Sequence, residues 1–175
     1  LHGWVLTGDL IGGFVDKYTD WASYQPEEKG VLIAYGSIYG GTENAAEILA
    51  GMLADRGICN IAVYDVSATH PSYLVSEAFK YSHLVFASAT YNCGIFTPME
   101  NLLLDLKAHA MQNRTVALVQ NGSWSPMSGK LMQEIVGSFK NTALLEPVAT
   151  LRSTVSDKTR EELSALAGAI QASME

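Results

Sequence analysis

Three short stretches of this sequence bring together residue types that can hold a ligand. The first, Gly36-Ser37-Ile38-Tyr39-Gly40-Gly41-Thr42, has three glycines, three hydroxyls and no charged side chain. Glycines let successive backbone N–H groups converge, a following helix start adds partial positive charge, and Ser37 and Thr42 add donors, which together suit a phosphate. The plainer alternative is a glycine-rich turn between a strand and a helix. Gly36 and Gly41 have the spacing of a nucleoside-triphosphate loop, but Thr42 stands where that motif requires lysine, and no Gly-x-Gly-x-x-Gly occurs. A phosphate held here would therefore depend on backbone N–H groups and hydroxyls.

The second stretch, Thr90-Tyr91-Asn92-Cys93-Gly94-Ile95-Phe96-Thr97-Pro98, offers an aromatic, an amide and a glycine to a flat, partly polar ligand. In the third, Gln120-Asn121-Gly122-Ser123-Trp124-Ser125-Pro126, Trp124 presents a face for stacking, so that Tyr91 and Trp124 can flank one ring. Ser37–Thr42, Thr90–Met99 and Gln120–Gly129 contain no Asp, Glu, Lys or Arg. With Phe96, Met99 and Met127 nearby, the mouth of such a site is expected to meet a partner through apolar contact rather than matched charge.

Other reactive residues read more plainly. Cys93 has no adjacent base or second cysteine to make it a redox thiol. Asp65 reads as a loop or capping carboxylate, and His70, His83 and His109 read as surface residues. Met52, Met111 and Met132 read as filling between helices and sheet.

To converge, these stretches must follow strands of one sheet. Val31–Tyr35, Ile61–Tyr64, Leu84–Ala87, Val116–Val119 and Val148–Leu151 are short apolar runs bounded by turn residues, as buried parallel strands are. Helical patterns follow them at Glu43–Arg56, Tyr73–Tyr81, Met99–Met111, Ser128–Phe139 and Asp157–Ala172. This alternation predicts an α/β fold with a doubly wound, five-stranded parallel sheet. Ligands of such sheets bind beyond the carboxyl ends of the strands, where all three stretches fall. Thr42 is placed to cap the first of these helices, Gly57 to end it, Pro98 to open the third and Ser156 to cap the last. Residues 1–30 read as a connector with at most one short helix, and residues 31–175 as the domain proper.

The chain of 175 residues is 48% hydrophobic, enough for one core, and its net charge of −7 opposes binding to nucleic acid or anionic lipid. No apolar run approaches the ~20 residues of a membrane span, and the two cysteines have neither metal-binding nor disulfide spacing, so a cytoplasmic setting is expected. The start, Leu1-His2-Gly3-Trp4, has no features of a signal peptide and lacks methionine, and the chain reads as a piece of a longer protein.

At its loops the sequence resembles the flavodoxin family, and in particular the carboxy-terminal domain of flavodiiron proteins. Ala34-Tyr35-Gly36-Ser37-Ile38-Tyr39-Gly40-Gly41-Thr42-Glu43 is similar to that family's first strand and phosphate loop, and Ala89-Thr90-Tyr91-Asn92-Cys93-Gly94 to its second flavin loop. The resemblance implies the strand order 2-1-3-4-5 and FMN as cofactor. It implies that Ser37, Ile38, Tyr39, Gly40, Gly41 and Thr42 hold the phosphate, that Thr90, Tyr91, Asn92, Cys93 and Gly94 line the isoalloxazine, and that Gly122 and Trp124 close the other side. Gly94, free to adopt positive φ, is expected to let the Cys93-Gly94 peptide turn toward the flavin N5.

By the same resemblance, His2-Gly3 is similar to the last metal-ligand motif of an upstream metallo-β-lactamase-like di-iron domain, whose other ligands this chain lacks. The implied role is an electron relay from a redox partner protein, rubredoxin or an NADH-linked reductase, to a di-iron centre that reduces O2 or NO, in a protein able to form a homodimer. Two alternatives belong to other classes: a stand-alone FMN-dependent NAD(P)H:quinone or flavin reductase, and an interaction module that has kept the fold without the ligand.

Overall fold

The structure, a computed structural model, describes Gly3 and residues 5–175. His2 lies outside the described residues.

Strand β1 (Glu28–Gly36) lies between β2 (Ile61–Asp65) and β3 (Tyr81–Tyr91), and β3 pairs in turn with β5 (Thr115–Asn121), all in parallel. The last sheet position is shared by β6 (Ala143–Leu144) and β7 (Ala149–Leu151), both parallel to β5. A two-residue strand, β4 (Gly94–Ile95), folds back antiparallel on β3. The order β2-β1-β3-β5-β6 is the flavodoxin-like order expected, but the sheet has seven strands rather than five. The fifth run forms β7, and Pro147, which has no N–H for the ladder, separates it from the added β6.

Alternate residues of the inner strands face opposite layers, and each face finds its own core. Leu32, Ala34, Leu84, Phe86, Val116 and Leu118 pack with α3 (Pro71–Lys80), α4 (Thr97–Ala108) and α5 (Ser128–Val136). Val31, Ile33, Val85, Ala87, Ala117 and Val119 pack with α2 (Gly41–Asp55) and α6 (Asp157–Ser173). Being buried on both faces is why these strands read as continuous apolar runs rather than alternating ones. The connection leaving β1 runs outward to β2 while that leaving β3 runs toward β5, so the sheet's switch point lies between the carboxyl ends of β1 and β3.

Several boundaries moved for identifiable reasons. Tyr81 does not end a helix but opens β3, paired with Glu28. Ser156 caps α6 as expected, accepting from Thr159 N, and Gly57 follows α2 in a left-handed conformation. Thr42 does not cap α2: Gly40 at φ 81° takes the N-cap position, and Thr42 is buried in the first turn. His83 is buried on β3 at 5% exposure rather than at the surface, with Nδ1 2.8 Å from Ser82 Oγ and Nε2 3.1 Å from Ser173 Oγ.

The segment before β1 carries a longer helix than expected, α1 (Leu10–Ser23), none of whose residues is buried. Its far end is anchored to the domain. Arg114, buried on β5's approach, donates to the carbonyls of Tyr24, Ala78 and Phe79 at 2.7–3.2 Å. Lys17 and Trp21 both donate to Glu27 at 2.6 Å. Burial pushes the Glu27 carboxyl up, but these two hydrogen bonds and the Lys17 charge outweigh it and hold the group below its ordinary value.

Candidate functional site

The carboxyl ends of β1, β3, β5 and β7 surround an open cavity of about 120 Å³, lined among others by Ser37, Gly41, Thr42, Thr90, Asn121 and Ser153. The strand ends bring together the loops that the sequence singles out. They also add a fourth, Arg152-Ser153-Thr154 after β7, which follows the same strand-end rule but carries no glycine or aromatic signal.

The phosphate-type loop ends on the N-terminus of α2. With Gly40 as N-cap there is no side-chain cap, so the first N–H groups of the helix have neither an intrahelical nor a capping partner. These N–H groups, with the dipole behind them, suit an anion. Gly40 at φ 81° is in the left-handed region that disfavours a Cβ. Gly41 is needed for a different reason, since a Cβ there would collide with the Ser153 carbonyl oxygen.

Ser37 Oγ, shielded from solvent, is the one buried side-chain oxygen or nitrogen without a hydrogen-bond partner among the described residues. Leaving such a group unpaired costs about 1–3 kcal/mol, so it marks where an acceptor belongs. On the other side of the loop, Glu43 in the first turn of α2 is held by the Tyr35 hydroxyl at 3.2 Å. Burial, reinforced by the Glu43 charge, pushes the Tyr35 phenol up to about 12, so it remains a donor throughout the working range.

The Thr90 loop is a tight hairpin. Tyr91 pairs with Gly94, leaving Asn92 (φ 47°) and Cys93 (φ 61°) as its two central residues. Positive φ at both positions defines a type I′ turn. In this structure the left-handed residues of the turn are Asn92 and Cys93, and Gly94 sits in the ladder. The Thr90 hydroxyl is engaged within the protein. Its Oγ1 accepts from Met127 N at 3.0 Å and Ser128 N at 3.2 Å, fastening the start of α5 to β3.

Ile38 (42% exposed) and Tyr39 (98%) line the cavity, whereas Tyr91 (48%) and Trp124 (92%) are exposed on the adjoining loops and are not part of its lining. Met99, expected near the mouth, is fully buried in the first turn of α4. Asn92 and Cys93 are exposed at the hairpin tip, and Gly122 lies between the cavity and Pro126. Arg152 reaches the Trp124 carbonyl at 3.3 Å, the one cation of the fourth loop. Thr90 thus holds the far end of the Trp124 loop, and Arg152 holds it at the tryptophan itself.

Asn121, at the end of β5, joins three of the loops. Its Oδ1 accepts from Ser153 N at 2.9 Å, and its Nδ2 donates to Thr42 Oγ1 at 3.2 Å and to Ser153 O at 3.3 Å. Ser153 is held in a left-handed conformation at φ 71°, its hydroxyl 2.8 Å from that of Ser123. Side chains that reach into neighbouring loops in this way leave no local periodicity, and neither Asn121 nor Ser153 stands out by spacing.

A parallel sheet with a glycine-hydroxyl cradle after β1 and flanking aromatic loops after β3 and β5 defines a flavodoxin-type protein. The flavodoxin family model matches residues 33–162, and the chain belongs to this family. Within it, the chain is similar to the flavodoxin-like part of flavodiiron proteins. Rubredoxin-oxygen oxidoreductase of Megalodesulfovibrio gigas is 31% identical over 134 residues, 76% of this chain and 33% of the relative. The structure of rubredoxin oxygen:oxidoreductase from Desulfovibrio gigas superposes with a TM-score of 0.86 at 24% identity, covering 95% of this chain and 41% of that one. That of the flavodiiron protein from Giardia intestinalis gives 0.79 at 17% identity, covering 95% and 42%. An archaeal flavodoxin gives 0.71 at 19% identity, covering 83% of this chain and 98% of its own. The chain thus spans about a third of the length of the curated relatives it matches. FMN is the cofactor that family membership implies.

Proposed function

We propose that the chain is an electron-relay domain that takes electrons from a redox partner protein onto FMN and passes them to a di-iron domain in a longer parent protein. The observation that carries the FMN reading is the unpaired Ser37 hydroxyl beside the uncapped N-terminus of α2, a donor set that a phosphate would complete. The open cavity of about 120 Å³ is smaller than the ~300 Å³ and upward of whole small-molecule sites, and suits the phosphate and ribityl end rather than the ring.

FMN, when bound, supplies one-electron chemistry. The chain's own residues do the rest. Ser37, Thr42 and the N–H groups of Gly41–Glu43 would hold the anion. Tyr91 and Trp124, exposed on the loops after β3 and β5, would supply faces for the ring, and Asn92, Cys93 and Gly94 would supply the backbone and polar groups of the hairpin. Ile38 and Tyr39 leave an uncharged rim for a donor to approach. The length of the relatives and the name of the first, rubredoxin-oxygen oxidoreductase, support a rubredoxin-like donor and a second domain that holds the metal. Residues 1–30, with α1 exposed along its length, fit a connector to such a domain.

The test is to load the purified chain with FMN, confirm a flavin spectrum, and add reduced rubredoxin anaerobically. Bleaching by the protein donor, with only slow bleaching by NADH or NADPH, is expected. A chain that stays colourless with excess FMN would overturn the cofactor reading, and rapid reduction by a nicotinamide alone would replace the relay with a reductase.

A further inference from the structure

We propose that Asn121 is a positioning residue for phosphate recognition: it aims the proton of the Thr42 hydroxyl into the cavity and so makes the site prefer a phosphorylated flavin to an unphosphorylated one. This rests on the FMN reading above.

The argument is one of hydrogen-bond polarity. The backbone N–H of Ser153 can only donate, so the Asn121 atom it meets at 2.9 Å is the amide oxygen, and the orientation of that amide is settled by its surroundings. The amide NH2 then faces Thr42 Oγ1 at 3.2 Å and Ser153 O at 3.3 Å. An NH2 group can only donate, so the Thr42 oxygen is the acceptor and its single proton must point elsewhere. A helical threonine ordinarily turns that proton onto the carbonyl one turn back. Thr42 stands in the first turn of α2 and has no helical carbonyl behind it. It donates to no group among the described residues, and it lines the same cavity as the unpaired Ser37 hydroxyl. Two hydroxyl protons and the free N–H groups of the helix start are thereby available to one anion.

Asn121 is 8% exposed and all its hydrogen bonds are internal, so it acts through Thr42 and Ser153 rather than as the main contact itself. A carboxylate in its place would reverse the arrangement. Asn121→Asp keeps the acceptor for Ser153 N–H but turns the other end into an acceptor. The Thr42 proton is then drawn away from the cavity, an oxygen faces the Ser153 carbonyl, and a negative charge stands beside the phosphate.

The experiment measures FMN and riboflavin affinities by flavin fluorescence for the wild-type chain and for Asn121→Asp, Asn121→Ser, Thr42→Val and the double variant Asn121→Ser/Thr42→Val. Asn121→Asp is expected to weaken FMN about 100-fold and Asn121→Ser about tenfold, with riboflavin changed less than about threefold in either. In the Thr42→Val background, Asn121→Ser should cause no further loss of FMN over riboflavin. Asn121→Ser, small and uncharged, carries the comparison if the aspartate variant does not fold. Parallel loss of both flavins would assign Asn121 a purely structural role and overturn the proposal, as would unchanged FMN affinity or full additivity with Thr42→Val. A wild-type chain that takes up neither flavin would overturn the FMN reading itself, and this inference with it.

Discussion

The carbonyl oxygen of Ser153 occupies the place that a Cβ on Gly41 would need. The loop after β7 is therefore pressed against the first turn of α2, and the cradle is closed by a segment about 110 residues away in sequence. Gly41→Ala must push one of the two backbones aside. The expected outcome is destabilisation of about 1–3 kcal/mol and loss of FMN uptake, read by denaturant titration and by the flavin absorbance retained after gel filtration.

Ser37→Ala should separate stability from binding. Removing a buried hydroxyl that has no partner relieves an unsatisfied group, so the flavin-free chain should be unchanged or stabilised by about 1 kcal/mol. The same change removes a donor to the phosphate and should weaken FMN about tenfold. A loss of stability without FMN present would show that Ser37 serves the fold instead.

Cys93 adopts φ 61° at the second central position of the Asn92-Cys93 turn, where a side chain is strained and glycine is not. Cys93→Gly is expected to stabilise the flavin-free chain by about 0.5–1 kcal/mol, the relief of strain exceeding the added freedom of the unfolded chain. Thermal unfolding of the two proteins without flavin checks this.

His83 ties β3 to the end of α6, and its imidazole is held below its ordinary value of 6.5 by burial first and by the Lys29 charge second, against a smaller opposing pull from Ser173. The unfolded chain therefore takes up this proton at a higher pH than the folded one. The contribution is full above the ordinary value and is lost as pH falls through the lowered one. Denaturant midpoints measured between about pH 7.5 and 5 should fall on acidification, and His83→Gln should flatten that dependence. An unchanged slope in the variant would place the sensitivity in other groups.

How much of this was legible in sequence varies by element. β1 announces itself in Val31–Tyr35 because both faces are buried, but its start at Glu28 rests on pairing with Tyr81 of β3, which no apolar pattern records. Thr42 looks like a helix cap by type and position, and it lost that role because Gly40 can reach a left-handed conformation one residue before the helix. His83 looks like a surface residue because a lone histidine carries no pattern, and only the packing of α6 across β3 buries it.

The sequence by itself determined the layered fold, the three loops that converge, and a cradle without a cation, since these depend on local alternation, glycine placement and the absence of charge. The tertiary structure alone decided which atoms face the cavity. Ser153 enters from a fourth strand end, and Asn121 chooses the direction of the Thr42 proton from a strand 79 residues away in the chain. The physical reason is that periodicity reports which face of an element is buried, whereas hydrogen-bond polarity is set by partners that only the folded chain brings within 3 Å or so of each other.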